Sequence, residues 1–81
     1  MSGLDGKVAI VTGAAGAIGA AVAQRLVADG AHVVMLDRAA EQLAAAAAPL
    51  DASATTLVLD LTDPAAVETG VADLVERFGH I

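Results

Sequence analysis

Three short apolar runs alternate along the chain with three segments of helical character. The runs at residues 7–11, 32–36 and 55–59 consist mainly of Val, Leu, Ile, Met and Thr, and each is predicted to be a buried strand. Strands that alternate with helices favour parallel pairing through right-handed crossovers. The pattern therefore predicts an α/β fold with the element order βαβαβα.

The first two helices are predicted from spacing and from their end signals. Apolar side chains recur at helical spacing behind the first strand, at Ile18, Val22 and Leu26. The pair Asp29-Gly30 is a C-terminal signal for this helix. The Ala-rich segment 41–48 favours a second helix, and Pro49 is predicted to stop it.

The third helix carries the strongest boundary signals. Asp63 is predicted as its N-cap, with Pro64 at the first helical position and Gly79 at its end. One apolar stripe runs along it, formed by Val67, Val71, Leu74, Val75 and Phe78.

The turn between the first strand and the first helix is rich in glycine. Residues 12–19 read Thr-Gly-Ala-Ala-Gly-Ala-Ile-Gly. Glycine tolerates positive φ and lets a ligand approach the backbone, while the following helix directs free N–H groups and its positive dipole end at an anion. A strand before the turn and a helix after it are the context of a dinucleotide-binding loop. We therefore predict a pyrophosphate site at this turn.

An acidic residue after the second strand extends the prediction to the adenosine end of a dinucleotide. Asp37 follows Gly19 by 18 positions, which fits the carboxylate that accepts hydrogen bonds from ribose hydroxyls. An aspartate at this position repels the 2′-phosphate of NADP, so NAD is the favoured cofactor. Arg38 leaves NADP open as the alternative, because a guanidinium can pair with that phosphate.

Three segments together resemble the start of a short-chain dehydrogenase/reductase: residues 6–19, 30–34 and 59–63. The resemblance covers the whole chain and implies one half of a Rossmann-type fold. Its three layers would be a parallel three-stranded sheet in the order 3-2-1 with helices on both faces. The chain has Ala17 where that family has glycine, and its middle glycine comes one place earlier, at Gly16. We expect a slightly altered loop that keeps its site.

The resemblance implies cofactor-binding roles for positions in the glycine turn and after the strands: Gly13, Gly16, Ile18, Gly19, Asp37, Asp60 and Leu61. Gly13 would form the tight turn, and Gly19 would permit close packing of helix against sheet. The Ile18 backbone N–H would face the pyrophosphate. Asp60 and Leu61 would border the adenine, with the Asp60 carboxylate accepting a hydrogen bond from its exocyclic amine.

The catalytic residues of that family have no counterpart here. Its members transfer a hydride with the help of a Tyr, a Lys four positions later and a Ser, whereas this chain contains no Tyr. The chain also ends at Ile81, where the family's fourth strand and Asn-Asn-Ala-Gly motif would follow. We therefore expect no catalytic residue and interpret residues 1–81 as a single truncated dinucleotide-binding domain, inert alone.

Composition narrows the remaining classes of function. With 57% hydrophobic residues the chain is not disordered, and its four Lys and Arg against a net charge of −6 exclude a basic nucleic-acid-binding surface. Cysteine is absent, and neither His32 nor His80 has neighbouring metal ligands, so no metal is expected. The uncharged stretch 8–23 is broken by glycines and is too short to span a membrane. We expect a cytoplasmic protein.

The predicted strand order leaves one edge of the first strand bare. A bare apolar edge invites pairing with another chain, so we expect a homo-oligomer that forms through this strand or through exposed helix faces. A self-associating fragment without a physiological ligand is one alternative function. The cofactor half of a methyltransferase is another, although that class usually carries an acid where this chain has Thr12.

Overall fold

The sheet consists of three parallel strands, as the sequence predicts. The computed structural model describes residues 3–79, and His80 lies outside them. The strands are β1 (Val8–Thr12), β2 (His32–Asp37) and β3 (Ala54–Val58). β2 lies between β1 and β3 and pairs in parallel with both. The 3-2-1 order is thereby confirmed.

Three α-helices connect and follow the strands: α1 (Ala17–Ala28), α2 (Ala40–Ala47) and α3 (Pro64–Phe78). Both predicted end signals of α3 are observed. The Asp63 carboxylate accepts hydrogen bonds from the N–H groups of Ala65 and Ala66, at 3.1 and 3.3 Å, and so caps the first turn. Gly79 ends the helix in the left-handed region, with φ 76°.

The core lies on both faces of β2, which gives the molecule its three layers. On one face Val33 and Met35 are fully buried beneath α1 and α2. On the other face Val34 and Leu36 pack with Leu74 of α3. Because successive strand residues point to opposite faces, a continuous apolar run is what a strand covered on both sides requires. This arrangement places the carboxyl end of β2 between the carboxyl ends of β1 and β3.

The apolar faces of two helices are only partly covered by the sheet. Ile18 and Val22 of α1 are 83% and 45% exposed, whereas Ala23 is fully buried against the sheet. In α3 the predicted stripe is divided: Leu74 is buried, but Val71 and Val75 are 40% and 47% exposed. Helical spacing establishes which side chains share a face, but it does not establish which neighbour covers that face.

α2 ends just before Pro49, as predicted, but the connection that follows contains a segment that the sequence did not predict. Residues Ala48–Ser53 form a 3₁₀ helix that is interrupted at Asp51. Within this segment Asp51 has φ 49° and ψ −128°, a conformation that L-residues rarely adopt. Within residues 3–79, no helix is both long and apolar enough to cross a membrane.

Candidate functional site

The glycine turn connects β1 to α1 and has one position that favours glycine and one that requires it. Gly13 has φ 64°, which favours a residue without a Cβ. At Gly19 the obstacle is space: a Cβ there would overlap the Gly13 carbonyl oxygen and lie 2.9 Å from the Cα of Ala14. Both neighbours are backbone atoms that cannot rotate away. The first turn of α1 therefore packs directly on the glycine turn.

Gly16 differs from these two positions. It is the N-cap of α1, with an ordinary φ of −79°, and a Cβ there would meet only the Gly13 oxygen at 3.5 Å. Since Gly16 has no side chain with which to cap the helix, the first N–H groups of α1 are left for a ligand. The residues that follow, Ala17 and Ile18, are exposed. The helix therefore presents an open anion-binding end.

The side chain of Asp37, the last residue of β2, accepts hydrogen bonds from the segments that precede α1 and α2. Its Oδ2 accepts the Ala15 N–H of the glycine turn, and its Oδ1 accepts the Ala39 N–H, both at 3.0 Å. These two hydrogen bonds, of which that from Ala39 has the larger effect, hold the pKa of this carboxyl below its ordinary value of 3.8. Asp37 is therefore ionised at neutral pH, and its carboxylate keeps acceptor capacity for a ligand hydroxyl.

Asp60 follows β3 and is exposed. Its Oδ1 accepts hydrogen bonds from the Thr62 hydroxyl at 2.6 Å and from the Thr62 N–H at 2.9 Å. Both bonds lower the pKa of Asp60, and the bond from the Thr62 hydroxyl has the larger effect. Both bonds described for this side chain within residues 3–79 use Oδ1, so Oδ2 is available as an acceptor. The turn from Asp60 to Thr62 therefore fixes an ionised carboxylate beyond the carboxyl end of β3.

A cleft of about 290 Å³ brings these residues together. It is lined by Gly13, Asp37, Arg38, Leu59, Asp60, Leu61 and Thr62. The structure thus gathers four of the seven predicted site residues into one cleft, while Gly16, Ile18 and Gly19 belong to the start of α1 and are not part of its lining. The sequence prediction omits Leu59 and Thr62. Their positions in the sequence could have indicated them, since they flank Asp60 and Leu61 after β3.

The arrangement suits a ligand with hydroxyls at one end and negative charge at the other. Carboxylates can accept from hydroxyl or amine groups in the cleft, and the N–H groups at the start of α1 can donate to an anion. A group of this kind is the adenosine diphosphate part of a dinucleotide. The donors and acceptors present therefore fit the cofactor that the sequence predicts.

Comparison with known families decides the identity of the fold. The model of the short chain dehydrogenase family matches residues 7–81. The chain belongs to this family. The family match confirms the resemblance carried by the glycine turn and the strand ends, and it does not favour the methyltransferase or ligand-free alternatives.

Individual relatives are similar over nearly the whole of this chain. Sorbitol dehydrogenase of Cereibacter sphaeroides is 42% identical over 78 residues, covering 96% of this chain and 30% of the relative. The structure of NAD⁺-bound xylitol dehydrogenase superposes with a TM-score of 0.93 at 38% identity, covering 99% of this chain and 32% of that one. A short chain dehydrogenase from Burkholderia cenocepacia in complex with NADP gives 0.82 at 42% identity, covering 94% and 33%. The chain spans about 30% of the length of its curated relatives.

Proposed function

We propose that the chain holds the adenosine and diphosphate end of a nicotinamide dinucleotide for a short-chain dehydrogenase. The observation that carries this proposal is the meeting of the glycine turn, Asp37 and Asp60 around one cleft. The ribose hydroxyls donate to Asp37, and the diphosphate accepts from the N–H groups of the first turn of α1, including that of Ile18. The adenine lies between Asp60 and Leu61, with its amine donating to Oδ2 of Asp60.

Titration of the 81-residue chain with ADP, followed by amide chemical shifts, tests this proposal. We expect saturable shifts at the glycine turn, at Asp37 and at residues 59–62. The amide chemical shifts of α2 and of the C-terminal end of α3 should stay unchanged, and they serve as the internal control. A folded chain that shows no ADP binding at millimolar concentration contradicts the proposal.

NAD is the preferred form of the cofactor in this proposal. Asp37 is ionised at the position where the ribose 2′-oxygen lies, so a 2′-phosphate would meet a like charge. Arg38 lines the same cleft and offsets part of this repulsion. Solved relatives include one bound to NAD⁺ and one bound to NADP, so the family alone does not decide between the two.

Affinities for NAD and NADP, measured on the same sample, test the preference. We expect NAD to bind about tenfold more tightly, and Arg38→Ala to widen the ratio by removing the only positive charge among the residues that line the cleft. Equal affinities, or tighter binding of NADP, contradict the preference.

The sequence also predicts a single domain that associates with a second copy. We propose that residues 1–81 form one domain that is catalytically inert alone, because the chain has no Tyr to serve as the family's acid and base. We also propose that it associates with a second copy through β1 or through exposed helix faces. Cytoplasmic location and the absence of nucleic-acid or membrane partners stay predictions of the sequence.

A further inference from the structure

One hydrogen bond of the site joins parts of the chain that are far apart in sequence. The Ala15 N–H of the glycine turn donates to Oδ2 of Asp37, 22 positions away, at 3.0 Å. The neighbouring N–H of Ala14 donates to the Leu36 carbonyl at 3.1 Å. Consecutive amides of the turn are therefore attached to consecutive residues of β2. The two bonds continue the pairing of the two strands beyond its last pair, Thr12 and Leu36.

The two bonds differ in what maintains them. The bond to Leu36 uses a backbone carbonyl and is independent of side-chain identity. The bond to Asp37 uses a carboxylate, and charge-assisted hydrogen bonds are stronger than neutral ones. Without the bond to Asp37, the turn would keep its bonds from Ala14 to Leu36 and from Gly16 to Gly13, but the Ala15 peptide between them would lose its anchor to β2.

We propose that Asp37 is a positioning residue for the diphosphate-binding turn as well as an acceptor for the ribose hydroxyls. Its carboxylate fixes Ala15 and thereby orients the open end of α1 that follows Gly16. Ribose recognition and diphosphate binding are then coupled through one side chain. This inference rests on the proposed function for its ligand, and on the bond to Ala15 for its geometry.

Electrostatics separates this role from simple ribose binding. A carboxylate near a diphosphate repels it, so removal of the Asp37 charge alone would strengthen binding of the diphosphate. Loss of a ribose contact alone would weaken adenosine and ADP by the same factor. Only loss of the turn's geometry weakens the diphosphate contribution itself. The other charged groups that line the cleft, Arg38 and Asp60, are unchanged in this comparison.

The test compares adenosine, ADP and inorganic pyrophosphate as ligands of the chain and of Asp37→Ala. We expect the ratio of the adenosine to the ADP dissociation constant to fall about tenfold, and pyrophosphate binding to weaken, as loss of one charged hydrogen bond predicts. Asp73→Ala, which removes an exposed carboxylate of α3, is the charge-matched control and leaves the ratio unchanged. An unchanged or increased ratio in folded Asp37→Ala overturns the inference.

A measurement without ligand keeps this inference separate from the proposed function. Amide exchange of Ala15 reports the anchoring bond directly, and we expect Asp37→Ala to accelerate it about tenfold while Asp73→Ala does not. Unchanged Ala15 exchange overturns the inference, and absent ADP binding by the unmodified chain overturns only the proposed function. Asp37→Leu keeps a similar side-chain volume but has no acceptor oxygen, so it removes the bond to Ala15. It serves for both measurements where Asp37→Ala does not fold.

Discussion

At the scale of single residues, glycine is required at Gly19 by space. A methyl group there would overlap the backbone of Gly13 and Ala14. We expect Gly19→Ala to lower the free energy of unfolding by about 1–3 kcal/mol, the usual range for overpacking against atoms that cannot move aside. We also expect it to weaken ADP binding, because the turn and the start of α1 must separate. Thermal or denaturant unfolding and an ADP titration measure the two effects.

Gly16→Ala is the matched control in the same turn. Gly16 has a φ that any residue adopts, and a Cβ there makes an ordinary contact with the Gly13 oxygen. We expect the free energy of unfolding to fall by less than about 1 kcal/mol, because alanine is a poorer N-cap than glycine but restricts the unfolded chain more. If Gly16→Ala were as destabilising as Gly19→Ala, the packing described for α1 would be wrong.

The ionisation of Asp37 predicts a pH dependence of stability. Its pKa is lower in the folded chain than the ordinary value of 3.8, because backbone N–H groups donate to the charged form. The stabilisation is therefore fully present above that ordinary value and is lost as the pH falls through the lower, folded pKa. An NMR titration of the Asp37 carboxyl checks this. A midpoint at or above 3.8 would be the contrary result.

At the scale of elements, the 3₁₀ helix carries backbone strain at Asp51. Its φ of 49° with ψ −128° lies outside the regions that residues with a Cβ prefer, and its side chain is exposed. In Asp51→Gly the relief of this strain raises the free energy of unfolding by about 1 kcal/mol. The greater conformational entropy of glycine in the unfolded chain offsets part of that gain, so we expect a small net stabilisation. Asp51→Ala removes the same charge but keeps the Cβ, so it should give no such gain in chemical denaturation.

Element positions were predictable where local chemistry decides them. Each strand lies within one residue of its apolar run, and Asp63 and Gly79 bound α3 as their capping chemistry predicts. The buried face of α1 was not predictable from spacing. Ala23 is fully buried against the sheet, whereas the larger Ile18, in the first turn of α1, is exposed. That choice depends on tertiary packing, which local periodicity does not contain.

The site shows the same division. The positive φ of Gly13 and the placement of Asp37 at the end of β2 follow from motif and spacing. The bond from Ala15 to Asp37 does not, because it depends on the strand register and on a side-chain rotamer. Thr62 was missed for a related reason: its bonds orient Asp60 within a turn whose shape no spacing rule specifies.

At the scale of the whole molecule, the sheet has two edges, and they differ in character. Within residues 3–79 both β1 and β3 pair only with β2. β1 is apolar except for Thr12, whereas β3 carries two threonines and follows the 3₁₀ helix directly. Unpaired strand edges are templates for association, and apolar ones most of all. The edge of β1 is therefore where a second copy of the chain is expected to pair.

Sedimentation velocity over a range of concentrations tests this association. We expect dimers at high micromolar concentration, and a larger dimer fraction in high salt, because two copies that each carry a net charge of −6 repel one another until the charge is screened. Amide exchange locates the interface: β1 amides should become more protected as the concentration rises, and those of β3 are the internal control. A monomer at every concentration, in low and high salt alike, would rule out pairing of this edge with a second copy.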